Sequence, residues 1–87
     1  MSVTVELTYE MSKALGARRL QVEGAATVGD VVRATRERFG ERAADFERLT
    51  RLAAVAVNGV LVTHRRGLRT AVADGDRVMF VQASAGG

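Results

Sequence analysis

The 87-residue sequence ends in Gly86-Gly87, preceded by the small, unpatterned residues Ala83, Ser84 and Ala85. A diglycine behind a strand makes a handle that a folded domain can hold out, and the reacting group it offers is the carboxylate of Gly87. A carboxylate is a poor electrophile until one oxygen becomes a good leaving group, so chemistry there begins with activation as an acyl phosphate. Glycine suits both final positions because it has no Cβ to crowd the carbonyl in a narrow channel and tolerates φ values closed to other residues. Residues 83–87 span about 17 Å when fully stretched, enough to enter another protein's active site. The sequence therefore predicts a folded body over residues 1–82 and a flexible tail over residues 83–87.

The other residues with chemical potential point less far. There is no cysteine, which removes disulfides, thiolate metal sites and a thiol nucleophile. His64 is the only histidine; in a polar stretch beside Arg65 it reads as a surface residue, and no metal site is expected. Asp74 and Asp76 have the look of an acid–base pair, but around Gly75 turn formation explains both. No glycine-rich phosphate loop ending in Gly-Lys-Ser/Thr occurs, so no cofactor is expected on this chain. The three methionines are scattered and carry no signal.

Apolar residues make up 47% of the chain and charged residues 26%, the balance of one small globular domain. No apolar run approaches the roughly 18 residues of a membrane span. Met1-Ser2-Val3 leads straight into a strand pattern, so the expectation is a cytoplasmic protein without signal peptide or membrane contact. The net charge is +3. Between Arg33 and Arg51 arginines alternate with acids, a solvated helix face in which Glu47 precedes Arg51 at the favourable i,i+4 spacing. Arg65, Arg66 and Arg69 are less balanced and are expected to face an acidic partner.

Val3, Val5, Leu7 and Tyr9 alternate with Thr4, Glu6 and Thr8, which predicts a half-buried first strand. Residues 11–17 read as a loop closing near Gly16, and residues 19–22 as a second strand hairpinned to the first. Thr27 is a helix N-cap, and Asp30 places its charge in the first turn. Val28, Val31, Val32, Thr35 and Phe39 form one buried stripe that stops at Gly40. Residues 41–52, with Ala43, Phe46 and Leu49, read as a short surface helix. Asn58-Gly59, between Val55-Ala56-Val57 and Val60-Leu61-Val62, predicts a type I′ hairpin turn over residues 54–62. Residues 63–70 are a polar connection bent at Gly67, anchored by Leu68, Ala71 and Val72.

Asp74-Gly75-Asp76 then opens the last strand. Val78 and Phe80 share one parity and are assigned to the core; Met79 and Val81 share the other and are assigned to an open face that meets a partner. A loop or short helix covering that second face is the alternative. The order strand, strand, helix, short helix, hairpin, loop, strand predicts an α+β domain. In it one main helix packs on a mixed sheet, with the last strand parallel to the first at the sheet's centre.

At this point the chain resembles the ThiS/MoaD family of ubiquitin-like sulfur carriers. The resemblance runs through Val57-Asn58-Gly59, through Gly67, Leu68, Thr70, Ala71 and Val72 by residue type, and through Ala73-Asp74-Gly75-Asp76-Arg77-Val78 to Gly86-Gly87. It implies the β-grasp fold and a carrier that is a protein co-substrate, not an enzyme. A ubiquitin-activating-type enzyme would adenylate Gly87 with ATP, and a sulfur donor would displace AMP to leave a thiocarboxylate. That sulfur would pass to an accepting biosynthetic enzyme. The missing cysteine fits, because the sulfur would ride on Gly87. The tail residues Ala83, Ser84, Ala85 and Gly86 would thread the partner's channel, with Met79, Val81, Arg65 and Arg66 as the partner interface.

The segment 67–78 looks most like carriers that feed cysteine synthesis, and the second helical stretch resembles the small subunit of molybdopterin synthase. Family tails often carry a proline near the end, and this chain has none, which leaves the pathway open. A ubiquitin-like modifier conjugated through Gly87 would use the same tail and activation. A nucleic-acid-binding domain, the reading the arginines invite, lacks a stacking platform: Tyr9, Phe39 and Phe80 fall at core positions, leaving only Phe46.

Overall fold

The computed structural model describes residues 1–83. The N-terminal alternation forms β1 (Ser2–Glu6), antiparallel to β2 (Arg19–Glu23), with Val3 opposite Val22 and Val5 opposite Leu20. The strand pattern stops earlier than its residue types promise. Thr8 turns its hydroxyl to accept from the Met11 N–H at 3.1 Å, which caps α1 (Tyr9–Leu15). Gly16 closes that helix at φ 83°, its N–H donating to the Ser12 carbonyl. Residues 11–17 are therefore not the expected loop. Tyr9 leaves the strand and is 68% exposed, while Met11 is fully buried. Both facts overturn expectations, since the phenol was placed in the core and the methionine given no role.

α2 (Val28–Phe39) begins as predicted. The Thr27 hydroxyl accepts from the Asp30 N–H, and the Asp30 carboxylate accepts from the backbone N–H groups of Ala26 and Thr27. These two N–H groups, Ala26 first, hold the Asp30 carboxyl below the usual carboxylate range. Val28, Val31, Thr35 and Phe39 are buried along one stripe, and the Thr35 hydroxyl returns to the Val31 carbonyl at 2.8 Å, so its burial leaves no polar atom unpaired.

After a 3-10 turn (Gly40–Arg42), α3 (Ala43–Thr50) inserts Phe46, which is completely buried. Its ring lies 4.8 Å from that of Phe39 and 5.7 Å, edge-on, from that of Phe80. The segment read as a surface helix thus supplies the centre of the core. Glu47 meets Arg36 of α2 at 2.5 Å, tying the two helices together where an ion pair to Arg51 was expected.

β3 (Ala53–Val57) and β4 (Val60–Leu61) form the hairpin around Asn58-Gly59, whose φ values of 50° and 87° fit a type I′ turn. β4 is shorter than expected, because Val62 already belongs to a 3-10 turn (Val62–His64) and is buried. A further 3-10 turn (Gly67–Arg69) packs on the start of α2. Leu68 is 58% exposed and does not anchor this segment by its side chain. Its carbonyl does come close: a Cβ on Gly29 would sit 3.2 Å from it, so glycine there permits the approach. Val72 is the buried apolar anchor.

β5 (Arg77–Gln82) pairs in parallel with β1 (Val5 opposite Val78) and antiparallel with β3 (Val55 opposite Phe80). The sheet order is β2-β1-β5-β3-β4, with β5 at its centre between β1 and β3. The helices cover the face bearing Val3, Val5, Val78 and Phe80, which form one core with Met11, Val31 and Phe46. This is the β-grasp arrangement the sequence predicted. Among the described residues no helix is long and apolar enough to cross a membrane.

Candidate functional site

The last strand is held hard at its beginning. Asp74 accepts from the Ser2 N–H at 2.8 Å, and the Gly75 N–H returns to the Ser2 carbonyl at 2.8 Å. Asp76 accepts from the Ala73 N–H at 2.8 Å and from the Asn58 side-chain amide at 3.0 Å. Those two bonds, the backbone one first, lower its carboxyl pKa. Asn58 completes the clamp: its side-chain oxygen accepts from the Arg77 N–H and its own N–H donates to the Arg77 carbonyl. The Asp-Gly-Asp turn and the Asn-Gly turn are therefore one device, which fixes β5 in register between β1 and β3. Asp74 and Asp76 are turn residues, as read.

At its other end β5 is still paired one residue past Gln82. The Ala83 N–H donates to the Leu52 carbonyl at 3.1 Å, continuing the pairing with β3. Ser84, Ala85, Gly86 and Gly87 lie outside the described residues. β5 is thus clamped at residues 74–77 and paired through Ala83, as the central strand of the sheet.

Met79 and Val81 are half-buried on the face away from the helices. Their cross-strand neighbours are Ala56 and Ala54, and Leu61, 37% exposed, continues the row on β4. On the β1 side the apolar row gives way to an ion pair, Arg77 to Glu6 at 2.5 Å. The sheet face is thus apolar over β5 and β3 and polar over β1. Arg65 and Arg66 are not brought to this face. They sit on the helix side beside the first turn of α2, where the Arg66 N–H meets the Thr70 hydroxyl and the Thr70 carbonyl meets the Val28 N–H. With Arg69 they line one cationic hollow. His64 is exposed, and among the described residues no group of three or more His, Cys, Asp or Glu side chains gathers.

The ThiS family profile matches residues 5–87, nearly the whole chain and the diglycine with it. The chain belongs to the ThiS family. Its likeness to solved structures places it among the ubiquitin-like sulfur carriers of ThiS/MoaD type. A chain of the Amycolatopsis orientalis BexX/CysO complex is 30% identical over 98% of this chain and 99% of that one, with TM-score 0.77. Mycobacterium tuberculosis CysO is 26% identical over 94% and 99%, with TM-score 0.78. The small archaeal modifier protein 1 of Methanosarcina acetivorans shares the fold at TM-score 0.78, with 20% identity over 99% and 96%. A search of curated proteins found no match.

One surface of this ThiS-family chain escaped the sequence reading. Beside Gln82, on the helix side, Tyr9 and Leu52 stand exposed across a groove. The signals that would have found it are Thr8 as an N-cap, with Met11 and Leu15 four apart. Together they take Tyr9 out of the strand and onto the surface of a helix.

Proposed function

We propose that this chain is a sulfur carrier whose Gly87 carboxylate is adenylated by a partner enzyme and converted to a thiocarboxylate. The observation that carries the reading is β5, clamped where it begins and paired as far as Ala83, in a chain whose family match runs on through the diglycine. In the first step a carboxylate oxygen of Gly87 attacks the α-phosphorus of ATP on the partner, and pyrophosphate leaves. In the second a sulfur nucleophile attacks the acyl carbon, and AMP leaves with the bonding pair. The chain supplies the acyl group and its unhindered approach, with no side chain at residues 86 and 87. It acts as co-substrate, and ATP belongs to a partner of the ubiquitin-activating type.

Met79 and Val81 are the short-range part of the partner interface, because they lie on the strand that feeds the tail. The sulfur is proposed to go to cysteine synthesis, the branch that segment 67–78 resembles and to which the 30% and 26% identities to CysO chains lend support. Molybdopterin synthesis is the alternative destination. Intact mass after incubation with ATP, a sulfide source and the activating enzyme of the same organism tests the mechanism. The expected gain is the mass difference between sulfur and oxygen, lost when Gly87 is deleted. Isopeptide-linked conjugates in cells, with no thiocarboxylate, would mark a modifier instead. Growth of cysteine-requiring against molybdopterin-deficient carrier mutants, complemented with this chain, decides the branch.

A further inference from the structure

The groove beside Gln82 has a use that follows from the length of the tail. This inference rests on the reading that Gly87 is the reacting group. Residues 84–86 separate it from Ala83, four steps along the chain and a reach of roughly 14 Å at full extension. An enzyme that takes the Gly87 carboxylate into its active site must therefore bring its own surface close around Ala83. Two apolar surfaces border that point. One is the open face with Met79 and Val81. The other lies across the sheet, between Tyr9 and Glu10 at the start of α1 and Leu49 of α3 with Leu52 in the turn after it, over the paired residues Ala53 and Gln82.

Tyr9 at 68% and Leu52 at 63% are the two most exposed large apolar residues among those described, and they share this one groove. Isolated exposed hydrophobes are ordinary, but two facing each other across a hollow at the root of a tail are not scattered. The Lys13 ammonium lies 5.1 Å from the centre of the Tyr9 ring and 4.0 Å from the Glu10 carboxylate, which steadies the ring in its exposed position. The hollow measures about 90 Å³. Small-molecule sites run from roughly 300 to 1,000 Å³, so a nucleotide does not fit, whereas a side chain does.

We propose that this groove receives one apolar side chain of the enzyme that adenylates Gly87. That enzyme then grips the root of the tail from both faces of the sheet: Met79 and Val81 on one side, Tyr9 and Leu52 on the other. A hydrophobic anchor in a pocket surrounded by weaker contacts is the usual way such interfaces concentrate their affinity.

The test is direct binding of the ubiquitin-activating-type enzyme of the same organism to the full chain and to a Gly87-deleted chain, by titration calorimetry. Leu52→Asp and, separately, Tyr9→Ser are expected to weaken binding about tenfold in both backgrounds. Leu52→Met should bind as the parent does. Both altered residues are mostly exposed, so circular dichroism melts should stay at the parent midpoint. Binding unchanged by Leu52→Asp and Tyr9→Ser, or no binding by the parent chain, overturns the proposal. ATP–pyrophosphate exchange in the same samples judges the Gly87 reading separately, since exchange that survives deletion of Gly87 removes that reading whatever the groove does.

Discussion

Asn58 serves two purposes that look unrelated in the sequence. Among the described residues it is the one non-glycine with positive φ, 50°, which the type I′ turn requires, and its side chain bolts that turn to Asp76 and Arg77. Asn58→Ala therefore loses two side-chain bonds and puts a Cβ-only residue in a left-handed conformation. The expected cost is about 2–3 kcal/mol in urea unfolding. Asp76 adds a pH dependence whose sign is fixed by the direction of its shift. Its carboxyl is held below the ordinary value of 3.8 in the fold, so its contribution is complete above that value and disappears as pH falls through the lower folded-state value. Asp30 acts in the same direction at the cap of α2. The urea midpoint should drop as pH falls below about 4. Asp76→Asn should cost about 1–2 kcal/mol at pH 7, because the amide can supply only one oxygen to the Ala73 N–H and the Asn58 amide. It should also make that drop shallower, because it has no carboxyl to protonate. An acid limb of undiminished depth in the variant would show that the clamp does not depend on the charge.

α3 is where residue patterning misleads. Its buried face is one aromatic, Phe46, with Leu49 only partly covered, so the period is too thin to distinguish a core helix from a surface one. In three dimensions that single ring touches both Phe39 and Phe80, joining α2 to β5. Phe46→Ala should cost about 3–5 kcal/mol, the range for emptying a buried aromatic site, and the thermal midpoint of the variant measures it. A loss below about 1 kcal/mol would return α3 to the surface role its pattern implied. The same thinness hid α1: seven residues with one buried side chain follow a strand whose alternation runs on through Tyr9 by coincidence of type. Elements with several regularly spaced apolar residues were legible, with α2 and β5 placed to within a residue and β1 read three residues too long. β1, α2 and β5 declared themselves because each buries a regular stripe, the Asn-Gly turn because it needs a particular backbone angle, and β2, with Val22 alone buried, as the hairpin partner of β1. The open face was legible too, since parity alone separates Met79 and Val81 from Val78 and Phe80. What was not legible depends on partners distant in sequence: the burial of Phe46, the link from Asn58 to Asp76, and the groove shared by Tyr9, Leu52 and Gln82.

At the scale of the molecule, stability and proposed function occupy different ends of one strand. Asp74, Asp76 and Asn58 fix β5 where it begins, while Met79, Val81 and the groove gather where it leaves. Arg65 and Arg66 belong with neither, lying beside the first turn of α2 on the helix side. A partner confined to the tail end would feel them through their field and not by contact. The domain is 31 Å in its longest dimension, whereas screening confines a charge to about 8 Å at physiological ionic strength and to about 30 Å at 0.01 M. Reversing both charges, Arg65→Glu with Arg66→Glu, should then leave the KM of the carrier for its activating enzyme within about twofold at 0.15 M salt and raise it severalfold only near 0.01 M. Met79→Asp should raise KM at both salt concentrations, since lost apolar contact is not restored by screening. ATP–pyrophosphate exchange across a salt series measures both. A charge reversal as damaging as Met79→Asp at 0.15 M would mean that the enzyme reaches round the helix side to touch the arginines. It would then enclose the domain instead of capping one end of it.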